Sequence, residues 1–166
     1  MRFKVEEKRE IDDYVIVCIM TDMGHRCGYV GIGEKHKLYK VPYNQNKVIL
    51  KKYIDSKPDE PIGKRGIIPL FCNNSKRGIS ADVAFDVHGS ITYSNNGDYP
   101  ILLDKPVWWF GFDCAHDGDA KDLSYIDDSK SREFYAGFNN GIVRSKEYVI
   151  QECESLVNQL KEVNQI

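Results

Sequence analysis

Residues 14–32 read Y-V-I-V-C-I-M-T-D-M-G-H-R-C-G-Y-V-G-I, two apolar runs separated by a short polar break. Tyr14–Met20 is continuous and rich in β-branched residues. Bounded by Asp13 and Thr21-Asp22, this composition predicts a central strand in the core. Asp22-Met23-Gly24-His25 carries turn chemistry, and Arg26–Ile32 is therefore predicted to fold back on the first run as a β-hairpin. Gly28, Gly31 and Gly33 leave the second strand unusually bare, which marks a bulge or a close approach of backbone or ligand.

Outward from this hairpin, a third strand is predicted over Val107–Asp113, within V-W-W-F-G-F-D-C-A-H-D-G-D at residues 107–119. Side chains alternate along a strand, so Trp108 and Trp109 face opposite sides and at least one indole must lie in the core. Ala81–His88 alternates with Ala81, Val83, Phe85 and Val87 on one face, and reads as a half-buried strand. It continues through Ile91 and Tyr93 to the turn signal Asn95-Asn96-Gly97-Asp98, with Gly89 marking an irregularity that re-aims His88 or Tyr93. Near the C-terminus Ser145 is placed to cap a long helix. Its apolar stripe, Val149, Cys153, Leu156, Leu160 and Val163, repeats at spacings of four and three. This helix is expected to pack across the sheet and to carry no chemistry. Asn46–Ile54 has partial helical spacing after Pro42. Ser56–Gly78, punctuated by Pro and Gly, reads as a long connection that covers a site or orders on binding.

The expected fold class is α+β. It is a single domain over residues 1–166, with a mostly antiparallel sheet (Tyr14–Ile32, Ala81–Tyr93, Val107–Asp113) packed against a long C-terminal helix. The chain has 166 residues, 42% of them hydrophobic, enough to bury one ordinary core. A formal net charge of −2 supplies no global field for a nucleic-acid backbone, so long DNA or RNA is excluded as a partner. Five widely spaced cysteines without a C-x-x-C pair suit neither a disulfide framework nor a structural zinc site, and fit reduced thiols. The apolar run at Val15–Met20 is far shorter than the roughly 20 residues of a membrane span. No membrane partner and a cytoplasmic location follow as expectations.

Candidate chemistry gathers after the aromatic strand, where Asp113, His116, Asp117 and Asp119 share a Gly-containing turn. Three readings follow. In the first, His88, Asp113, His116 and Asp119 are metal ligands, since neutral imidazole and carboxylate suit Zn, Mn or Fe, and the protein is a metal-dependent hydrolase of a nucleotide-like substrate. No H-E-x-x-H pattern supplies an associated general base. In the second, the polar cluster (His88, Asp113, His116) and the aromatic residues Tyr29, Tyr93, Trp108 and Trp109 form a pocket for a nucleotide-like ligand. The rings stack on a base, while Lys35, His36, Arg26 and Arg77 balance phosphate. Gly31-Ile32-Gly33 lacks the third glycine of a dinucleotide fingerprint, so the basic residues after it would meet phosphate on one small molecule only. In the third, Asp113 and His116 hold a turn by hydrogen bonds and the protein acts through its surface on a host protein.

The pair V-H-G-S-I-T-Y-S at residues 87–94 and W-W-F-G-F-D-C-A-H-D-G-D at 108–119 carries a resemblance. With C-G-Y-V-G-I upstream and E-C-x-x-L-x-x-Q-L downstream, it resembles a family of short, functionally uncharacterised proteins of bacteriophages and prophages. Relatives read H-G-G and A-H-A-G-D where this chain has Ser90 and Asp117, and the resemblance carries over no catalytic residue. It implies a location in a host cytoplasm and, for a small pocket protein, sequestration of a nucleotide-derived host immune signal. Neither a cofactor nor a reaction is named by the sequence, which is compatible with a homo-oligomer and with a host-protein partner.

Overall fold

The computed structural model describes residues 2–48 and 78–164. Their centre is a five-stranded antiparallel sheet built from β1 (Phe3–Ile11), β2 (Tyr14–Thr21), β3 (Arg26–Ile32), β4 (Tyr93–Asn96) and β5 (Trp108–Asp113). The strand order is β1-β2-β3-β5-β4. The predicted hairpin is β2–β3, in register from Val15 opposite Gly31 to Met20 opposite Arg26. Strand β5 then pairs with β3 from Ile32 opposite Trp108 to Cys27 opposite Asp113. The fold is α+β, as the sequence predicts.

Every residue of β2 is buried because the sheet is covered on both sides. One face meets α3 (Lys146–Asn164), whose stripe of Val149, Cys153, Leu156, Leu160 and Val163 packs with Ile16, Cys18, Val30, Trp108, Phe110 and Phe112. Ser145 caps it, its hydroxyl accepting the Tyr148 N–H at 3.1 Å. The opposite face holds Val15, Val17, Ile19, Tyr29 and Trp109, and is closed by the chain between β4 and β5 through Tyr99, Ile101 and Leu103. The two indoles thus fall on opposite faces and both are buried.

Bare positions in β3 and β5 let large rings lie flat across the sheet. A Cβ on Gly28 would strike the Phe112 ring at 2.5 Å and Cys153 Sγ at 2.8 Å, and one on Gly111 would strike the Tyr29 ring at 2.6 Å. The glycines of this sheet therefore serve ring packing. Strand β1, charged along its length as F-K-V-E-E-K-R-E-I, forms one sheet edge, where its charges oppose pairing with another chain.

Two expectations are corrected. Ala81–His88 is not a strand: residues Ala81–Ala84 form one helical turn, α1, and β4 begins only at Tyr93. Ala81, Ala84 and Phe85 are buried while Val83 is half exposed, so the helical spacing hidden in the alternating run decides which residues go inside. Two alanines, which gain little from a pleated surface, favour that outcome. Residues Ser129–Ala136 form a second helix, α2, with Asp128 at its N-cap accepting from the Ser131 N–H at 2.7 Å and Gly137 at its C-terminal end, where the run Gly137, Asn139, Asn140 and Gly141 reads as ending an element. In the helix expected over 46–54, Asn46–Val48 is non-helical and Val48 bridges Ile79. The remainder of that helix and nearly all of the 56–78 connection fall outside the described residues. No helix among the described residues is long and apolar enough to cross a membrane.

Candidate functional sites at the two ends of the sheet

At the Asp113 end of the β3–β5 ladder, Asp119 is the hub. Its side chain is 2% exposed, and its Oδ1 accepts Arg144 Nε at 2.7 Å. Oδ2 lies 2.7 Å from His88 Nε2 and accepts the His116 backbone N–H at 3.0 Å. Burial alone would raise this carboxyl, but the hydrogen bonds from Arg144, His88 and the His116 amide outweigh it and hold it below the usual carboxylate range. The turn that delivers it is pinned by a bridge between Asp119 and Ile142.

His88 is oriented through three contacts. With Nε2 donating to Asp119, its Nδ1 accepts from the Tyr148 hydroxyl at 3.0 Å, while its backbone N–H donates to Glu152 Oε2 at 2.7 Å. The Arg144 guanidinium lies over the Tyr148 ring, 5.0 Å from its centre. Helix α3 was expected to carry no chemistry, yet it supplies Tyr148 and Glu152 and is preceded by Arg144. Tyr148 and Glu152 are spaced four apart, the interval that brings side chains onto one helix face, and Arg144 lies just ahead of the Ser145 cap, four residues before Tyr148. That R-x-x-x-Y-x-x-x-E row was the signal in the sequence for the missed partners. Burial lifts the Tyr148 phenol, with the Glu152 charge adding to it.

His116 stands beside His88, the ring centres 5.6 Å apart. Gly89 (φ +69°) makes this approach possible, because any side chain there would overlap the His116 ring. The sequence predicted an irregularity at Gly89; its use is to bring a second imidazole against the backbone. His116 Nδ1 lies 3.9 Å from both Asp113 Oδ1 and Asp119 Oδ2, is itself buried and has no hydrogen-bond partner among the described residues. Asp113 sits at the rim, one oxygen accepting the Ala115 N–H at 3.1 Å. Cys114 is adjacent, but burial pushes its thiol up to about 12, so it stays protonated at neutral pH.

The four predicted metal ligands are therefore gathered here, whereas the other ligand-binding candidates are not. Tyr29 is buried, its hydroxyl 2.7 Å from that of Tyr99, and its ring meets Tyr93 and Tyr99 edge to face. Arg26 is turned to Glu6, its Nε donating to Oε2 at 2.6 Å. Arg77 falls outside the described residues. Trp108 lies in the core beneath α3.

The opposite end of the ladder is open. A cleft of about 300 Å3 is lined there by Gly31, Gly33, Lys35, His36 and Lys105, with Asp13 and Glu34 at its rim. A second, of about 370 Å3, runs beside Tyr39, Asn96, Asp98, Asp104 and Trp109. The two share Lys105, Pro106 and Val107 as a common wall. His36 is buried with both ring nitrogens engaged: Nδ1 accepts the Leu38 N–H at 3.1 Å and Nε2 reaches the Leu160 carbonyl at 3.2 Å. Burial lowers its pKa, so the imidazole is neutral. Trp109 borders the second cleft with a buried Nε1 that has no acceptor among the described residues. Comparison with known families, with characterised proteins and with solved structures found no match to this chain.

Proposed function

We propose that the protein binds a small nucleotide-like molecule across the two adjoining clefts and holds it without reacting with it. The observation that carries this reading is the pair of adjoining clefts of about 300 and 370 Å3, the second bordered by Trp109, whose buried Nε1 has no acceptor among the described residues. Buried polar groups are nearly always satisfied, yet this indole N–H, like that of Trp108 in the core, is not among the described residues, and its ring supplies an apolar wall for a base. Each cleft falls in the range of about 300–1,000 Å3 that small-molecule sites occupy. Lys35 and Lys105 suit a phosphate beside the bare Gly33 backbone, while Asp98 and Asp104 suit hydroxyl or amine donors on a sugar or base. The imidazole that lines the first cleft, His36, is committed to backbone partners, which favours holding over acid–base chemistry. With the resemblance to phage proteins, the reading extends to sequestration of a nucleotide-derived immune signal in a host.

Native followed by denaturing mass spectrometry tests this on protein exposed to a nucleotide mixture. The expected result is an intact nucleotide released on denaturation, with Lys35→Ala/Lys105→Ala weakening its retention by about tenfold or more, as for loss of charge-assisted hydrogen bonds. No retained nucleotide, or retention indifferent to both lysines, would end the reading.

A second reading, action through a host protein, is favoured by the exposed, touching rings of Phe134 and Phe138, 64% and 74% exposed, with Ile142 and Val143 also exposed further along the same segment. Phe134→Ser/Phe138→Ser should then abolish the protein's effect in the host while leaving nucleotide retention intact. An unchanged effect would remove this reading.

A further inference from the structure

We propose that His88, His116 and Asp119 bind one divalent transition-metal ion of the zinc class. The site is independent of the nucleotide reading and lies at the other end of the sheet. One ring nitrogen from each histidine and one carboxylate oxygen all lie within 4.8 Å of one another. Ligand atoms held at about 2.0–2.2 Å by a single ion sit about 3–4 Å apart, so the set needs only small adjustments to close on a cation. His116 Nδ1, 3.9 Å from Asp119 Oδ2, is too far for a hydrogen bond and at a suitable distance for two ligands of one metal.

Three further observations point to an ion rather than to a structural turn alone. His116 Nδ1 is buried and lacks any partner among the described residues, although two carboxylates stand nearby, and a buried lone pair left in that state calls for a cation or proton donor. The Gly89 backbone leaves room for the His116 ring against His88, a close approach that no side chain at residue 89 would permit. The outer contacts also match those of a ligand set. Arg144 holds Asp119 Oδ1 and leaves Oδ2 facing the two imidazoles, and the Tyr148 hydroxyl, 3.0 Å from His88 Nδ1, can accept its N–H once Nε2 is metal-bound.

Metal binding at His88 Nε2 displaces the proton that this nitrogen shares with Asp119, and the ring N–H then sits on Nδ1, where it can donate to the Tyr148 hydroxyl. Two imidazoles and one carboxylate suit zinc, manganese or iron over calcium or magnesium, which prefer all-oxygen sites. Three protein ligands leave a position open on the side of Asp113, where the site reaches solvent: the Asp113 and His116 side chains are 34% and 36% exposed.

The experiment is titration of chelator-treated, full-length protein with Zn2+ by calorimetry and with Co2+ by visible absorption. One ion per chain is expected, with a Co2+ d–d spectrum and a rise in Tm on metal addition. His116→Ala is the decisive variant, because among the described residues its ring makes no hydrogen bond whose loss would unfold the protein. It should retain the apo circular-dichroism spectrum and lose metal affinity by at least about 100-fold. Tyr148→Phe, one contact further out, should lose about tenfold, and Lys35→Ala in the distant cleft nothing. Absence of saturable Zn2+ binding, or binding that His116→Ala leaves unchanged, overturns the proposal.

Discussion

The two ends of the β3–β5 ladder, about 17 Å apart over five residue steps, are finished in opposite ways. At the Asp113 end, chain from β5, α1 and α3 closes over a polar network in which Asp119 satisfies His88, Arg144 and the His116 amide at once. Where Gly31 and Ile32 end, β3 gives way to a loop of charged residues, and the walls stand apart as two clefts. In the closed end, polar side chains fix one another, so removing one leaves its partners stranded. In the open end, Lys35 and Lys105 are held by solvent and are replaceable without cost to the fold. Stability should therefore respond to substitution of the hydrogen-bonded groups at one end, and nucleotide retention to substitution at the other.

The largest expected effect is Asp119→Ala. Truncating one member of a buried ion pair leaves the remainder uncompensated, at a cost of about 3–5 kcal/mol. Arg144 is 24% exposed and recovers some hydration, which places the expected loss near the lower limit, about 3 kcal/mol. Urea denaturation with an unchanged slope would measure it; a loss under about 1 kcal/mol would show the network to be no tighter than a surface pair.

Next comes a matched pair of glycines. Gly111→Ala drives a Cβ to 2.6 Å from the Tyr29 ring, which is tied through its hydroxyl to Tyr99, and should cost about 1–3 kcal/mol by overpacking. Gly33→Ala, with nothing within 4 Å of the added carbon, should be neutral or stabilising by up to about 1 kcal/mol through the unfolded chain. Equal Tm shifts for the two would erase the distinction between packed and open glycines.

The same contrast decides what the sequence disclosed. The β2–β3 hairpin, β5 and α3 were legible because each bears a period long enough to name its burial: a continuous run, an aromatic alternation and a stripe at three and four. The run at Ala81–Val87 fits two periods, and packing against Tyr43 and α3 chose between them; the Ala81 N–H donates to the Tyr43 carbonyl at 2.7 Å, a contact no local pattern encodes. At the site, Asp113, His116 and Asp119 were visible by adjacency and His88 by its glycine. Arg144, Tyr148 and Glu152 were not. Tyr148 and Glu152 meet His88 across 60 and 64 residues of chain and Arg144 meets Asp119 across 25, while helix spacing alone says only that Tyr148 and Glu152 share a face. Of the four aromatic candidates, Tyr29, Tyr93 and Trp109 gather on one face of the sheet and Trp108 lies on the other, because alternation sends the two indoles to opposite faces, so they cannot flank one ligand.

A smaller effect separates the network by pH. Asp119 is held below the ordinary carboxylate value in the folded protein, so the unfolded chain takes up its proton first as pH falls. Its contribution is complete above the unfolded value near 4 and is lost as pH drops through the folded one. Wild type should therefore lose more of its urea midpoint between pH 6 and pH 3 than Asp119→Asn does. Parallel losses would assign acid sensitivity to other carboxylates.

The smallest effect on the fold is expected from Lys35→Ala/Lys105→Ala. Both side chains are exposed, neither takes part in an ion pair among the described residues, and surface changes of this kind fall within about 0.5 kcal/mol. If the open end exists to hold a ligand, this double variant should keep its Tm without nucleotide and lose the rise that nucleotide gives the wild type, since a ligand stabilises only the state that binds it. A variant that melts early without ligand would mean that the lysines support the fold, and the two ends would then differ in shape but not in purpose.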